Sequence, residues 1–204
     1  EGSIRLDGRS ILSMKAHKRS MLGLSRTFQN IALFKGLSVL DNLMVGRHNR
    51  LNYGLLASLF YLGKARREED RHRRRVEDVI DFLGLSPYRH KHAGELPYGV
   101  QKRVELGRAL AAEPKLILLD EPMAGMNLEE TEDMARYILD INEEWGVTVL
   151  LVEHDMGLVM DISDHVVVLD FGSILASGNA EEVQQDPDVI AAYLGNEDSF
   201  FIGR

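Results

Sequence analysis

The chain has 204 residues, of which 45% are hydrophobic, and its length predicts one domain, or one domain with an inserted subdomain. Its formal net charge of −8 argues against a protein that coats nucleic acid, because phosphate binding requires clustered lysine and arginine. It contains no cysteine, which excludes disulfides and cysteine-ligated metal sites.

The N-terminal half predicts a hairpin followed by helices. Residues 3–11 carry Asp7-Gly8 between two short runs, which predicts a tight β-turn. The section from about Val39 to Arg108 predicts helices, and its longest apolar run, residues 55–62, falls far short of the ~20 residues that span a bilayer. Residues 64–78 are dense in both signs of charge. This pattern predicts a solvated helix with i,i+4 pairs; a nucleic-acid patch is the alternative, which the interleaved acids weaken.

The last third alternates strand and helix patterns. Residues 115–119 and 147–152 are continuous apolar runs, which predict strands buried on both faces of a parallel sheet. Residues 128–145 between them are amphipathic and long enough for a crossover helix. Residues 165–178 predict a hairpin. The pattern as a whole predicts an α/β fold with a helical insert.

Two adjacent carboxylates, Asp120 and Glu121, follow the first apolar run and precede Pro122. They stand at the carboxyl end of a predicted parallel strand, where ligands bind in open α/β sheets. Nucleotide hydrolysis needs two acids there, one to hold Mg²⁺ and one to polarise the attacking water. The alternative is an acidic strand end that caps the next helix.

Three further segments carry candidate residues. Pro97 and Gly99 precede a helical pattern whose free N–H groups could bind phosphate, although an ordinary helix start has the same pattern. His154 follows the second apolar run and could equally be a buried core histidine. Gln29 follows a strand-like segment, and alone it carries no signal.

The order and spacing of these segments resemble the ATP-binding cassette (ABC) family over the whole chain. Residues 27–29 look like its Q-loop, 96–99 like its signature motif, 116–122 like its Walker B strand, 124–127 like its D-loop, and His154 like its switch histidine. Residues 96–99, 121–127, 152–156 and 189–195, and an insert over residues 49–67, are similar to the ATP-binding subunits of branched-chain amino acid importers.

The resemblance implies a P-loop NTPase-like core sheet with an inserted helical subdomain over 39–108, in a single ATP-binding domain over 1–204. It implies ATP and Mg²⁺ as cofactors, with Glu121 as general base and His154 as a contact of the γ-phosphate. Further nucleotide contacts would come from Gln29, Leu96, Pro97, Tyr98, Gly99, Asp120 and Asn127, and the Mg²⁺ ligands would be Asp120 and Gln29.

The resemblance also implies partners and a location. Two such subunits, identical or different, would sandwich ATP between them. They would bind transmembrane permease subunits at the cytoplasmic face of the inner membrane as peripheral proteins, and would act indirectly with a periplasmic solute-binding protein. No nucleic acid is expected as a partner.

The sequence departs from the family pattern at three places. The phosphate loop G-x-x-x-x-G-K-[ST] does not occur in these residues, so we expect the chain to be N-terminally truncated, with a missing βα unit ahead of Glu1, and to be inactive by itself. Pro97 stands where most of the family has a serine, and Asn127 replaces an aspartate; both changes are shared with the importer subgroup. Val100 stands where that subgroup usually has glutamine.

Three alternatives remain open at this point. The chain could serve a related transporter of urea or lipopolysaccharide. It could be a cassette ATPase that acts on ribosomes or DNA, although neither a second cassette nor a coiled-coil arm is visible. It could also bind no ATP at all, since the main phosphate cradle does not occur in it.

Overall fold

The computed structural model describes residues 2–27, 31–50 and 64–194. Its backbone contacts divide the chain into two compact units, Glu1–Val152 and Glu153–Arg204. No helix in the described ranges is both long and apolar enough to cross a membrane. The single domain over 1–204 and the helical subdomain over 39–108 stay predictions.

Helices and strands alternate along both units. The helices are α1 (Ala16–Met21), α2 (Val39–Gly46), α3 (Lys64–Phe82), α4 (Tyr98–Ala111), α5 (Leu128–Glu143), α6 (Met156–Ile162), α7 (Ala180–Gln184) and α8 (Pro187–Leu194). The strands are β1 (Arg5–Leu6), β2 (Arg9–Ser10), β3 (Leu24–Arg26), β4 (Leu116–Asp120), β5 (Thr148–Val152), β6 (Val166–Asp170) and β7 (Ser173–Gly178). This content agrees with the predicted α/β class.

The first unit opens with the predicted hairpin. Strands β1 and β2 pair antiparallel, with Leu6 opposite Arg9. Asp7 and Gly8 both have positive φ, 48° and 76°, which is the requirement of a type I′ turn. The Asp-Gly signal therefore predicted the position of this tight turn.

A parallel sheet with the order β3-β4-β5 forms the centre of the first unit. Leu118 lies between Arg26 and Leu150 in register, and Asp120 lies opposite Val152. Helix α5 follows β4 and leads to β5, so the predicted crossover helix is confirmed. The parallel arrangement brings the carboxyl ends of β4 and β5 to the same edge of the sheet.

The predicted burial of both faces is wrong for β5. Ile117 and Leu119 of β4 are buried, but Leu150 and Val152 of β5 are 57% and 56% exposed. Successive side chains of a strand point to opposite faces. The described residues therefore cover one face of β5 in part and leave the other open, although four of its five residues are apolar.

The predicted helical section contains α2, α3 and α4, which pack against one another. Their shared core consists of fully buried aliphatic side chains, among them Val39, Leu43, Val76, Ile80, Leu83 and Leu110. The charged stretch is confirmed as helical, since α3 buries Val76 and Ile80 on one face. The predicted insert over 49–67 lies largely outside the described residues.

The second unit contains the predicted C-terminal hairpin. Strands β6 and β7 pair antiparallel, and Phe171 and Gly172 turn the chain with positive φ. Buried side chains from the hairpin and from α7 and α8 form its own small core: Val166, Val168, Ala176, Val183 and Val189. Asn179 caps α7 in a capping box with Glu182.

Candidate functional site

Asp120 ends β4 and is half-buried. Its Oδ2 accepts a hydrogen bond from Nη2 of Arg26, at 3.0 Å, in an ion pair between neighbouring strands. Arg26 lies beside Leu118 in the sheet register, so its side chain can reach the carboxylate two residues further on. Asp120 is therefore an anionic group held at the carboxyl edge of the parallel sheet, as predicted.

Glu121 follows with the unusual φ of 46°. Its N–H donates to the carbonyl of Val152 at 2.9 Å, and its own carbonyl accepts from the N–H of Ala124 at 3.2 Å. A left-handed backbone is unfavourable for a residue with a side chain, and such strain is concentrated at functional sites. The turn takes the chain out of the sheet directly after Asp120.

The end of β4 offers a carboxylate that could bind Mg²⁺, but not a complete set of protein ligands. Mg²⁺ in nucleotide sites is bound by one or two carboxylates together with phosphate oxygens and water, rather than by an all-protein cage. Asp120 offers such a carboxylate, now paired with Arg26. Within the described ranges no group of three or more His, Asp or Glu side chains could hold a metal ion. Asp120 would thus serve a metal that arrives with its phosphate.

The predicted signature residues form the start of α4. Pro97 is the N-cap, and its side chain makes no capping hydrogen bond. A Cβ built on Gly99 would collide with the carboxyl group of Glu130, so a side chain there would require that carboxyl group to move. Leu96 is buried in the core, which leaves its backbone as the part that could face a nucleotide.

The predicted D-loop residue Asn127 is the N-cap of α5. Its Oδ1 accepts from the N–H of Glu130 at 3.0 Å, and Glu130 Oε2 accepts from the N–H of Asn127 at 3.1 Å, which completes a capping box. Tyr98 donates its hydroxyl to the carbonyl of Ala124 at 3.1 Å, and its ring comes within 3.2 Å of where a Cβ on Gly125 would lie. The predicted signature residue Tyr98 is therefore in direct contact with the predicted D-loop residues Ala124 and Gly125 of the same chain.

The remaining two predicted residues have separate outcomes. His154 belongs to the second unit, and its side chain is 76% exposed, with Nδ1 3.6 Å from Oε2 of Glu153. A buried core histidine, the alternative left open by the sequence, is thereby excluded. Gln29 lies outside the described residues, so its nucleotide and metal contacts stay predictions.

Sequence reasoning assigned no role to two residues that the structure places at this site. Arg26 pairs with Asp120, as described above. Lys102 is buried, with its Nζ 3.4 Å from the carbonyl oxygen of Glu121. Its only signal in the sequence is a position one helical turn after Tyr98, which places both side chains on one face of α4.

Comparisons with known proteins point in one direction. The family model described as ABC transporter matches residues 1–124. A second model, described as branched-chain amino acid ATP-binding cassette transporter, matches residues 173–199. The two matches lie at opposite ends of the chain.

Similar sequences carry related names. The chain is 44% identical over 194 residues to the high-affinity branched-chain amino acid transport ATP-binding protein BraF of Pseudomonas aeruginosa, covering 95% of this chain and 76% of BraF. It is 37% identical over 194 residues, with the same coverage, to LivG of Salmonella typhimurium, whose name describes the same function.

Solved structures agree with the sequence matches. A nucleotide-free ATP-binding cassette from an ABC transporter aligns with a TM-score of 0.77 at 33% identity, covering 95% of this chain and 77% of that one. The ADP conformation of an ATP-binding cassette aligns with a TM-score of 0.78 at 33% identity, covering 96% and 77%. The fold is thus shared with cassettes seen with and without nucleotide.

Proposed function

The chain belongs to the ABC transporter family of ATPase subunits, and from this premise we propose that it powers an importer of branched-chain amino acids. Hydrolysis of ATP is the activity of the family. The substrate class is supported by the names of BraF and LivG and by the match of residues 173–199 to the branched-chain family model. Urea or lipopolysaccharide transport remains the alternative from the same family.

The observation that carries the proposal is the pair of carboxylates at the end of β4. Asp120 is the last residue of the strand, and Glu121 leaves the sheet in a left-handed turn held by Val152. In this arrangement Glu121 is the general base that takes a proton from the attacking water. Bound Mg²⁺, held by Asp120 and Gln29, would neutralise charge on the β- and γ-phosphates.

Two subunits would be needed for turnover. Pro97, Tyr98 and Gly99 of one chain, with the backbone of Leu96, would contact the nucleotide bound on the other chain, while His154 would stabilise transition-state charge on its own side. Asn127 would contribute from the D-loop. The contact of Tyr98 with Ala124 and Gly125 supports this scheme, because it ties the signature of each chain to its own D-loop.

The surface that would transmit motion to permease subunits lies around residues 31–37 and the helical section. Phe34, Leu37 and Val45 are large apolar side chains that are exposed there. Asn42 fixes this segment, since its Oδ1 accepts from the N–H of Phe34 at 3.0 Å. A defined apolar surface suits a protein partner at the cytoplasmic face of the inner membrane.

The test is a hybrid in which this chain replaces the matching segment of BraF in Pseudomonas aeruginosa. We expect the hybrid to restore leucine uptake to at least a third of the wild-type rate, and the Glu121→Gln hybrid to leave uptake at background. A hybrid that hydrolyses ATP but supports no leucine uptake would contradict the importer assignment. The 204-residue chain alone, as a second arm, should release phosphate at background.

A further inference from the structure

Lys102 is a buried cation beside the proposed general base. The residue is 3% exposed and lies in the first turns of α4. Burial of an ammonium group is costly unless acceptors surround it. Its partners therefore indicate why a lysine is placed there.

One partner is the peptide group of Glu121. Lys102 Nζ donates a long hydrogen bond of 3.4 Å to the Glu121 carbonyl, and it lies 5.8 Å from the ring centroid of Tyr98. The same carbonyl accepts from Ala124, and the N–H of Glu121 is held by Val152. The left-handed residue is thus fixed from the strand β5, from the D-loop and from α4.

A small cavity borders the Lys102 side chain. Thr27, Lys102, Glu105, Leu119 and Pro122 line it. The Thr27 hydroxyl is buried and has no hydrogen-bond partner in the part of the chain that the structure describes. Lys102 therefore contacts Glu121 at the end of β4 and lines a cavity together with Thr27, which follows β3.

We propose that Lys102 is a positioning residue, which holds the strained peptide of Glu121 so that its carboxylate faces the attacking water. The inference rests on the proposed role of Glu121 as general base. Because Lys102 and the signature residues share one helix, a shift of α4 on nucleotide contact moves the donor that holds Glu121. The signature of one chain would in this way control the base of the same chain.

The kinetic test uses the BraF hybrid with Lys102→Met and Lys102→Arg. We expect Lys102→Met to lower kcat about 10-fold and to change KM for ATP less than twofold, because misplaced groups lose rate rather than ground-state binding. Lys102→Arg, which keeps charge and donor, should recover kcat to within about threefold. Lys91→Met is the matched control, since Lys91 lies 5.3 Å from the Tyr88 ring centroid but is exposed, and it should leave kcat unchanged.

A second readout does not depend on turnover. In the 204-residue chain, Lys102→Met should accelerate hydrogen exchange of the Glu121 amide about 10-fold, while the Val39 amide, bonded to the carbonyl of Lys91, keeps its rate. Equal acceleration at both amides, or a kcat within twofold of wild type, would overturn the positioning role. Loss of turnover in the unsubstituted hybrid would instead count against the proposed function, and the exchange result would still decide the role of Lys102.

Discussion

The two ends of helix α4 differ in how the rest of the first unit holds them. At the C-terminal end, Arg47 donates from Nη1 to the carbonyl of Ala111 at 2.7 Å, and Arg50 donates from Nε to the carbonyl of Ala112 at 3.1 Å. These cations satisfy the orphan carbonyls and complement the helix dipole. At the N-terminal end the N-cap residue Pro97 makes no side-chain capping hydrogen bond, and Tyr98 is exposed.

The C-terminal end is part of a buried charged network. Arg47, which is 2% exposed, donates from Nε to Nδ1 of His72 at 2.7 Å and lies 3.4 Å from the carboxylate of Glu113. Arg75 binds the same carboxylate at 2.8 Å. Burial raises the pKa of Glu113, but the hydrogen bond from Arg75 and the charge of Arg47 outweigh it and lower that pKa overall.

The C-terminal end of α4 is therefore an anchor, and the N-terminal end is held by fewer and weaker contacts. The anchored end joins α2, α3 and α4 through a network in which Arg47 and His72 are buried while Glu113 and Arg75 stay partly exposed. At the other end Tyr98 is exposed and Gly99 is buried. Lys102 makes a long hydrogen bond to Glu121 there, and Tyr98 makes an exposed one to Ala124. In the proposed function, a nucleotide would therefore contact the end of α4 that is less firmly held.

The largest expected effect is the loss of ATP turnover when the proposed general base Glu121 is replaced. Glu121→Gln in the BraF hybrid should lower ATP turnover at least ~100-fold, because glutamine keeps the shape and removes the base. ATP binding should persist. Phosphate release and nucleotide-binding titrations measure the two properties. Exposed Glu132→Gln is the control, and turnover within twofold of wild type would show that Glu121 is not the base.

Removal of Arg47 from the anchoring network should lower the stability of the fold rather than the rate of ATP turnover. Arg47→Met removes the donor to buried His72 and to the carbonyl of Ala111, and it leaves the carboxylate of Glu113 with Arg75 alone. We therefore expect a loss of about 3 kcal/mol in the free energy of unfolding. Trp145, the one tryptophan of the chain, lies 5.0 Å from Phe82 by ring centroids, so its fluorescence can report urea unfolding of the first unit.

The matched control for the anchor is Arg136→Met. Arg136 also pairs with a carboxylate, Asp133 at 3.3 Å, but both side chains are exposed. Its removal should cost less than about 1 kcal/mol. Equal losses for the two variants would refute the contrast between an anchoring network and a surface pair.

The smallest expected effect is a pH dependence of the anchor. Burial and the charge of Arg47 lower the pKa of His72 below its usual value of 6.5. The folded state therefore keeps His72 neutral while the unfolded state takes up a proton below about pH 6.5. Stability from this group is complete above that pH and falls as the pH drops, by at most ~1.4 kcal/mol per pH unit.

His72→Gln keeps an acceptor for Arg47 Nε and removes the titration. Urea unfolding at pH 7.5 and 5.5, followed through Trp145, should show a smaller loss of stability in this variant than in the wild type. An identical pH dependence in both would show that His72 is not buried in its neutral form. The carboxylate of Glu113 titrates at lower pH and lies outside this window.

The sequence predicted the parts of the fold that local patterns encode. The Asp7-Gly8 turn, the strands at residues 115–119 and 147–152 and the helix between them follow from turn chemistry and hydrophobic periodicity. The pair Asp120-Glu121 was found for the same reason, since it ends an apolar run. Its roles, and those of Gln29 and His154, stay predictions that rest on the family resemblance.

Contacts between distant residues were not predictable in this way. Nothing in the sequence pairs Arg26 with Asp120, because that contact depends on the register of β3 against β4. Lys102 looks like an ordinary charged helix residue until α4 is packed against the strand end. The exposure of Leu150 and Val152 was missed because an apolar run does not tell which face of a strand is covered.

The central claim is that Glu121 is the general base for ATP hydrolysis in a dimer that ATP assembles. It is tested most directly with the Glu121→Gln hybrid incubated with ATP and Mg²⁺. Size-exclusion chromatography with light scattering gives the mass, and extraction of the bound nucleotide gives its identity. We predict a stable dimer that holds one unhydrolysed ATP per chain, while the unsubstituted hybrid returns to monomers with ADP. A monomer, or a dimer that contains mainly ADP, would contradict the account.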